Sequence, residues 1–95
     1  MAAFVILDIQ VHDPAVYEEY KKMTPATVAA YGGRYVARGG KVETLEGDWK
    51  PERIVLLEFE NMEKAKAWLN SPEYHPAHEM RKKSAHTRSI LVEGL

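Results

Sequence analysis

The order of the periodic segments along the chain constrains the fold more than any other feature. The segment Ala3–Val11 alternates as a strand with one buried face does, and Asp8 and Gln10 fall on the same side as Phe4 and Ile6. The predicted elements are strand Ala3–Val11, a helix between Asp13 and Gly33, strands Arg34–Arg38 and Arg53–Phe59, a helical region between Asn61 and Ala85, and strand Thr87–Val92. This β-α-β-β-α-β order predicts a ferredoxin-like α+β fold, in which two helices cover one face of a four-stranded antiparallel sheet.

Capping residues and prolines set the boundaries of the first predicted helix. Asp13-Pro14 combines an N-cap with a proline at the first helical position, where a missing N–H costs nothing. Gly32-Gly33 supplies the backbone freedom that a helix C-cap needs. Pro25 removes a backbone donor in the interior, so we expect a kink or a break near Thr24.

The second helical region is predicted in two parts. Asn61 is a good N-cap for a helix over Met62–Leu69. Ser71-Pro72 repeats the cap-plus-proline signal and predicts a helix that runs to about Ala85.

The two central strands carry the less regular signals. Gly39-Gly40 predicts a bulge or bend, after which the second strand continues through Lys41–Leu45. Arg53–Phe59 is almost continuously apolar, which is typical of a strand covered on both faces, with Glu58 as its one carboxylate.

Length, charge and cysteine content exclude several classes of protein. A chain of 95 residues is expected to form one domain over residues 1–95. The formal net charge of −1 gives no field that would attract nucleic acid or an anionic membrane. The absence of cysteine excludes disulfides and thiol chemistry, and Asp8 interrupts the apolar N-terminal run. We therefore expect a cytoplasmic protein that binds neither nucleic acid nor membrane.

The predicted fold leaves one face of its sheet without helices. Alternate residues of four strands would expose an apolar patch larger than monomers usually tolerate. A second copy of the sheet is the simplest cover, so we expect a homodimer through this open face.

Several segments resemble the domain of unknown function 1330 family. They are Gly32–Gly40, Leu45–Arg53, Glu58-Phe59 and Ala67–Tyr74, and Arg81 matches an arginine of the family. The resemblance implies a dimeric α+β barrel, a superfamily that also contains cofactor-free monooxygenases, isomerases and haem-dependent enzymes. The family itself has no established activity, and the fold is compatible with many functions.

Two charged residues on the predicted strands are the candidate catalytic pair. Arg38 precedes two glycines that would let a ligand approach, and a guanidinium binds a carboxylate in a bidentate manner. Glu58 lies in an apolar strand, where burial raises the pKa of a carboxyl toward the range of a general base. The alternative is a structural ion pair between Arg38 and Glu58 on neighbouring strands.

Aromatic residues on the helical segments are candidate substrate-binding groups. The candidates are Tyr20, Tyr31, Trp68 and Tyr74, together with Arg81. An aromatic pocket with tyrosine hydroxyls as donors is one interpretation, and ordinary core packing is the other. His75 and His78, with Glu79, could form a two-histidine, one-carboxylate metal site. They lie in the first turns of a helix, and the spacing does not fix a third ligand for the two histidines, so we expect no metal site.

The predicted function has three alternatives. The first is a cofactor-independent isomerase or monooxygenase that acts on a small anionic or carbonyl-bearing molecule. The second is a module that binds a small molecule without catalysis, and the third is a purely structural dimer. No Walker loop, GxGxxG, GxSxG or HExxH motif is present, so we expect neither a cofactor nor conventional hydrolysis.

Overall fold

The chain forms a four-stranded antiparallel sheet with three helices on one face. The computed structural model describes residues Met1–Leu95. Its elements are β1 (Ala3–Val11), α1 (Pro14–Ala30), β2 (Arg34–Arg38), β3 (Ile54–Phe59), α2 (Met62–Leu69), α3 (His75–Ser84) and β4 (Ala85–Glu93). The strand order is β2-β3-β1-β4, so β1 lies in the interior of the sheet and pairs with both β3 and β4. The predicted ferredoxin-like order is confirmed, and the second helical region is divided into α2 and α3.

Alternation along β1 separates the two faces of the sheet, as predicted. Val5, Leu7 and Ile9 are buried against the helices, which we call the covered face. Phe4, Ile6 and Asp8 point the opposite way, toward the open face, and are half-buried within one protomer. The open face also carries two well-exposed apolar side chains of β4, Ile90 at 64% and Val92 at 45% exposure.

Helix α1 runs without interruption through Pro25, so of the kink or break predicted near Thr24 the break does not occur. Proline has no N–H to donate to the carbonyl four residues earlier, which here belongs to Lys21. The Arg38 guanidinium donates to this Lys21 oxygen at 3.4 Å and so satisfies an acceptor that the helix itself cannot. The helix begins as predicted, with the Asp13 side chain accepting from the Val16 N–H.

Strand β2 is shorter than predicted and contains its irregularity at a different position. It ends at Arg38, and Lys41–Leu45 does not continue it. Gly39 has a φ of +67°, which leaves the extended region, while its N–H still donates to the Ile54 carbonyl at 3.0 Å. Of the bulge or bend predicted at Gly39-Gly40, the bend is confirmed at Gly39, and the bulge is wrong there because the shift of register lies between Tyr35 and Ala37.

Strand β3 is covered on one face only within the protomer, contrary to prediction. Val55, Leu57 and Phe59 are buried under the helices. Ile54, Leu56 and Glu58 alternate with them on the open face and are half-buried.

The turn between α2 and α3 differs slightly from the predicted helix start at Ser71-Pro72. The Ser71 hydroxyl is buried and accepts from the Tyr74 N–H at 3.1 Å, which closes a turn, and the helix proper begins at His75. Strand β4 follows α3 directly at Ala85. None of the three helices combines the length and apolar character that a transmembrane span requires.

Candidate functional site

The two predicted catalytic residues lie on opposite faces of the sheet. Glu58 is on the open face, where its Oε1 accepts from Arg34 Nη2 at 2.6 Å and from Arg34 Nε at 2.9 Å. Arg38 is paired in register with Val55, a covered-face residue. The predicted ion pair between Arg38 and Glu58 is therefore wrong, and the partner of Glu58 is Arg34.

The β-bulge explains this exchange of partners. In a regular strand Arg34 and Arg38, four residues apart, would point to the same face. The bulge inserts Val36 as an extra residue, so every side chain after it turns to the other face. Arg38 consequently lies over the ring of Tyr35, with its guanidinium carbon 4.9 Å from the ring centroid.

Four of the predicted binding residues meet on the covered face, in what we call the tyrosine–arginine cluster: Tyr20, Trp68, Tyr74 and Arg81. The hydroxyls of Tyr20 and Tyr74 are 3.1 Å apart, and Arg81 Nη1 donates to the Tyr74 hydroxyl at 3.0 Å. The ring of Trp68 packs on Tyr74 at a centroid distance of 4.1 Å. All four residues are at most 7% exposed.

Local structure places each member of this cluster. Tyr20 is on the buried side of α1, and Trp68 is in the last turn of α2. Tyr74 occupies the N-cap position of α3, without a capping hydrogen bond from its side chain, and Arg81 lies seven residues later, two helical turns along the same side. The Trp68 indole N–H donates to the hydroxyl of Thr27 at 3.1 Å, which joins α1 to α2.

Burial determines the protonation states within the cluster. It raises the pKa of Tyr74 far above its ordinary value, so this hydroxyl stays protonated and does not act as a base; it accepts from Arg81 and shares a hydrogen bond with Tyr20. His78 stacks on Tyr74 at 5.2 Å, and burial, with Arg81 and Lys82 nearby, lowers its pKa. The imidazole is therefore neutral at pH 7. Arg81 is 5% exposed, and its buried Nε has no hydrogen-bond partner.

A cavity of about 130 Å³ lies beside the cluster, between the sheet and α2. It is lined by Val5, Leu7, Ala65, Lys66, Trp68, Leu69, Arg81, Ser89, Ile90 and Leu91. Its wall is mostly apolar, and Arg81 brings a buried positive charge to it. Such an arrangement can hold an apolar body and stabilise negative charge on an oxygen.

Tyr31 does not join the cluster. Its hydroxyl donates to the Glu73 carboxylate at 2.7 Å and ties the end of α1 to the turn before α3. Sequence reasoning also missed two groups that shape the site, Ala65 on the cavity wall and Thr27 beneath Trp68. A small residue and a threonine within helices carry no signal of such a role until the packing of the helices is known.

A second concave region lies on the open face around Asp8. Asp8 Oδ2 accepts from the Trp49 indole N–H and from Arg88 Nη2, both at 2.9 Å. These contacts tie the loop between β2 and β3 to the sheet and border an open cleft of about 820 Å³. The hydrogen bond from Trp49 and the charge of Arg88 hold the pKa of Asp8 below its ordinary value of 3.8.

We expect Asp8 to make the stability of the protein sensitive to acid. A carboxyl whose pKa is lowered by folding contributes stability above its unfolded-state pKa, and this contribution is lost as the pH falls through the folded-state pKa. Urea unfolding of Asp8→Asn between pH 6 and 2 should therefore show a smaller acid-dependent loss than the parent. Glu60→Gln is the control, since Glu60 is exposed and forms no ion pair. Identical pH profiles for Asp8→Asn and the parent would contradict the expectation.

The fold and the covered face together define a small ferredoxin-like α+β protein with a polar cluster buried beside a cavity. The chain belongs to the DUF1330 family, a domain of unknown function, whose model matches residues 2–95. The resemblance predicted from the sequence is thereby confirmed. Among curated proteins none matches the chain.

Solved structures share the fold at low sequence identity. An RPA0582 protein of unknown function from Rhodopseudomonas palustris is 17% identical with a TM-score of 0.79, over 99% of this chain and 82% of that one. SnoaB from Streptomyces nogalater, a cofactor-independent oxygenase, is 19% identical with a TM-score of 0.68, over 99% and 92%. A dimeric ferredoxin-like protein of unknown function from Thermobifida fusca is 13% identical with a TM-score of 0.70, also over 99% and 92%. These similarities support the ferredoxin-like fold.

Proposed function

We propose that this chain binds a small, mostly apolar molecule through an acidic or carbonyl oxygen in the cavity beside Trp68 and Arg81. The observation that carries the proposal is the environment of Arg81. A guanidinium that is 5% exposed, has no carboxylate partner and leaves its Nε unpaired is costly to bury. An anionic ligand oxygen would supply the missing acceptor and the missing charge. In this proposal the anchor of the cavity ligand is Arg81, and not Arg38.

The cavity favours a ligand of about the size of a substituted benzene ring. Its volume of about 130 Å³ is close to that of an apolar protein cavity, roughly 150 Å³, that binds benzene. Trp68 and the aliphatic side chains of the cavity wall provide contacts for an aromatic or branched aliphatic body.

A series of matched ligands tests the proposal. Benzoate and phenol carry an acidic oxygen, toluene has the same ring without it, and benzylamine carries a positive charge. Benzoate at about one hundred times its Kd should stabilise the protein by about 2.7 kcal/mol, visible as an increase in Tm. We expect benzoate and phenol to raise the Tm more than toluene does, and benzylamine to leave the Tm unchanged. A series in which toluene and benzoate act equally would exclude the role of Arg81.

A cavity-filling variant provides the second arm of this test. Ala65 is buried on the cavity wall, so Ala65→Leu should occupy the space and abolish the benzoate response while leaving Arg81 in place. The control is Ala67→Leu, which adds the same atoms at an exposed position of the same helix. An undiminished benzoate response in Ala65→Leu would place the ligand elsewhere.

Catalysis on the bound molecule is a second candidate function, supported by the fold shared with a cofactor-independent oxygenase. Arg81 and the Tyr74 hydroxyl could stabilise an enolate. Solvent hydroxide would take a proton from the carbon beside a carbonyl and become water, the C–H electron pair would move to the carbonyl oxygen, and water would return a proton to the carbon and regenerate hydroxide. Deuterium exchange into a small aryl ketone in D₂O, followed by NMR, reports this step, and an oxygen electrode reports oxygenation of phenols. If the parent protein and Arg81→Met show equal rates of exchange and of oxygenation, catalysis at this site is rejected and only the binding function remains.

We further propose that a second copy of the chain covers the open face. The exposed side chains of Ile90 and Val92 lie there beside the half-buried Phe4, Ile6 and Leu56. Several proteins of the same fold are described as dimeric. Sedimentation equilibrium tests the proposal, and a monomeric mass at micromolar concentration would reject it.

A further inference from the structure

The five arginines of the chain divide unequally between the two faces of the sheet. On the open face, Arg34 pairs with Glu58 at 2.6 Å and Arg88 pairs with Asp8 at 2.9 Å. The other three, on the covered face, are Arg38, Arg53 and Arg81, and none of them forms an ion pair. The covered face therefore holds positive charge that the protein does not neutralise. Arg81 accounts for only a part of it.

Arg38 and Arg53 are neighbours at the junction of β2 and β3. Arg38 is in register with Val55, and Arg53 precedes Val55 by two residues, so both side chains start from the same face. Gly39, next to Arg38, lies so close to Arg53 that a Cβ there would be 2.7 Å from the guanidinium carbon. The Arg38 guanidinium contacts Lys21 and that of Arg53 contacts Tyr17, one turn apart on α1. Like charges on neighbouring strands repel each other and lower stability unless an anion lies between them.

Most hydrogen-bond donors of the two guanidinium groups are free. Arg38 makes one bond, the long contact of 3.4 Å with the Lys21 carbonyl, and stacks on Tyr35. Arg53 lies over the ring of Tyr17 at 5.4 Å, and its Nε is buried without a partner. Each guanidinium carries five N–H donors in a planar fork that suits the oxygens of phosphate or carboxylate.

The surroundings admit an anion, and no carboxylate forms an ion pair with either arginine. Gly40 has no atom within 4 Å of the position that a Cβ would occupy, so the backbone beside the two arginines is open to approach. Burial raises the pKa of Tyr35 to about 12, and its hydroxyl therefore stays protonated and uncharged beside Arg38.

We infer that Arg38 and Arg53 form a second anion site, separate from the Arg81 cavity, that binds a doubly charged phosphate group, either free or as a monoester. Two guanidinium groups match a dianion in charge, and the fork geometry favours an oxyanion with several oxygens over chloride. The site lies at the surface end of the covered face, so the remainder of a monoester would extend into solvent. This inference does not depend on the cavity or on its ligand.

Thermal unfolding with inorganic phosphate at pH 8, against sodium chloride at equal ionic strength, tests the site. We expect the Tm in phosphate to be higher than the Tm in sodium chloride. Arg38→Met and Arg53→Met should each weaken phosphate binding at least tenfold. Arg34→Met is the matched control, because Arg34 is on the same strand but is neutralised by Glu58. Should Arg53→Met fail to fold, the exposed Arg38→Met still decides the question. A phosphate response no larger than that of chloride, or one lost equally in Arg34→Met, would overturn the inference.

Two further arms identify the ligand and separate the two sites. Phenyl phosphate that binds more tightly than inorganic phosphate indicates a monoester, and equal binding indicates that the free ion suffices. In Arg81→Met, phosphate should still raise the Tm as much as it does in the parent, even if benzoate no longer raises it. Loss of the phosphate response in Arg81→Met would show a single site and overturn the inference of a second one.

Discussion

Replacing Trp68 by alanine is expected to lower the free energy of unfolding by about 4 kcal/mol, close to the upper range for truncation of a large buried aromatic. The side chain is fully buried and packs between Phe59 and Tyr74, with ring centroids at 5.4 and 4.1 Å. Its indole N–H also donates to the Thr27 hydroxyl. The variant removes this packing and leaves a void that joins the existing cavity. Urea unfolding followed by circular dichroism measures the loss.

The neighbouring residue supplies the control for Trp68. Leu69 is 41% exposed, so Leu69→Ala should cost less than about 1 kcal/mol in the same experiment. Because small domains have only about 5 to 15 kcal/mol of stability, Trp68→Ala should be marginally folded. A loss below about 2 kcal/mol would show that the helices can close over the void.

Replacing Arg81 by methionine is expected to separate stability from binding. Methionine keeps an apolar stem of similar length and removes a buried charge that has no carboxylate partner. Tyr74 is not left unpaired, since its hydroxyl retains Tyr20 as a partner. We therefore expect the free energy of unfolding without ligand to stay within about 1 kcal/mol of the parent or to rise. The affinity for benzoate should fall by about 10- to 100-fold, the range for loss of one charge-assisted hydrogen bond.

Calorimetric titration with benzoate and urea unfolding measure the two effects of Arg81→Met separately. Lys82→Met is the control for the change of charge, because Lys82 is exposed on the same helix. Unchanged benzoate affinity in Arg81→Met would reject the proposed binding mode. A loss of more than about 3 kcal/mol in stability would instead assign Arg81 to the structural core.

The helical half of the site could be predicted from the sequence, because a helix fixes which side chains share a face. Tyr74 and Arg81 are seven residues apart, so once α3 is predicted they must lie on one side of it. Tyr20 and Trp68 were expected on the inner faces of their helices and do meet Tyr74 there. The cavity itself could not be predicted, because it depends on how α2 packs against the sheet and not on any single residue.

The strand half of the site was less predictable, because a strand fixes faces only while its pairing stays regular. Nothing in the residues from Arg34 to Arg38 distinguishes a regular strand from one with an extra residue at Val36. The alternation of β1 was predicted correctly, because it is paired without interruption on both sides. The predicted pairing of Arg38 with Glu58 was wrong because the sequence does not reveal the bulge at Val36.

The bulge at Val36 also limits what can be transferred between members of the family. Deleting or adding one residue before Arg38 would move its charge from the covered face of the sheet to the open face, with hardly any change in composition. Two relatives with identical residues around Arg38 could therefore use the same arginine for different purposes. Functional residues of β2 should be compared between homologues by the face they occupy, after the bulge has been located in each structure, and not by column in an alignment.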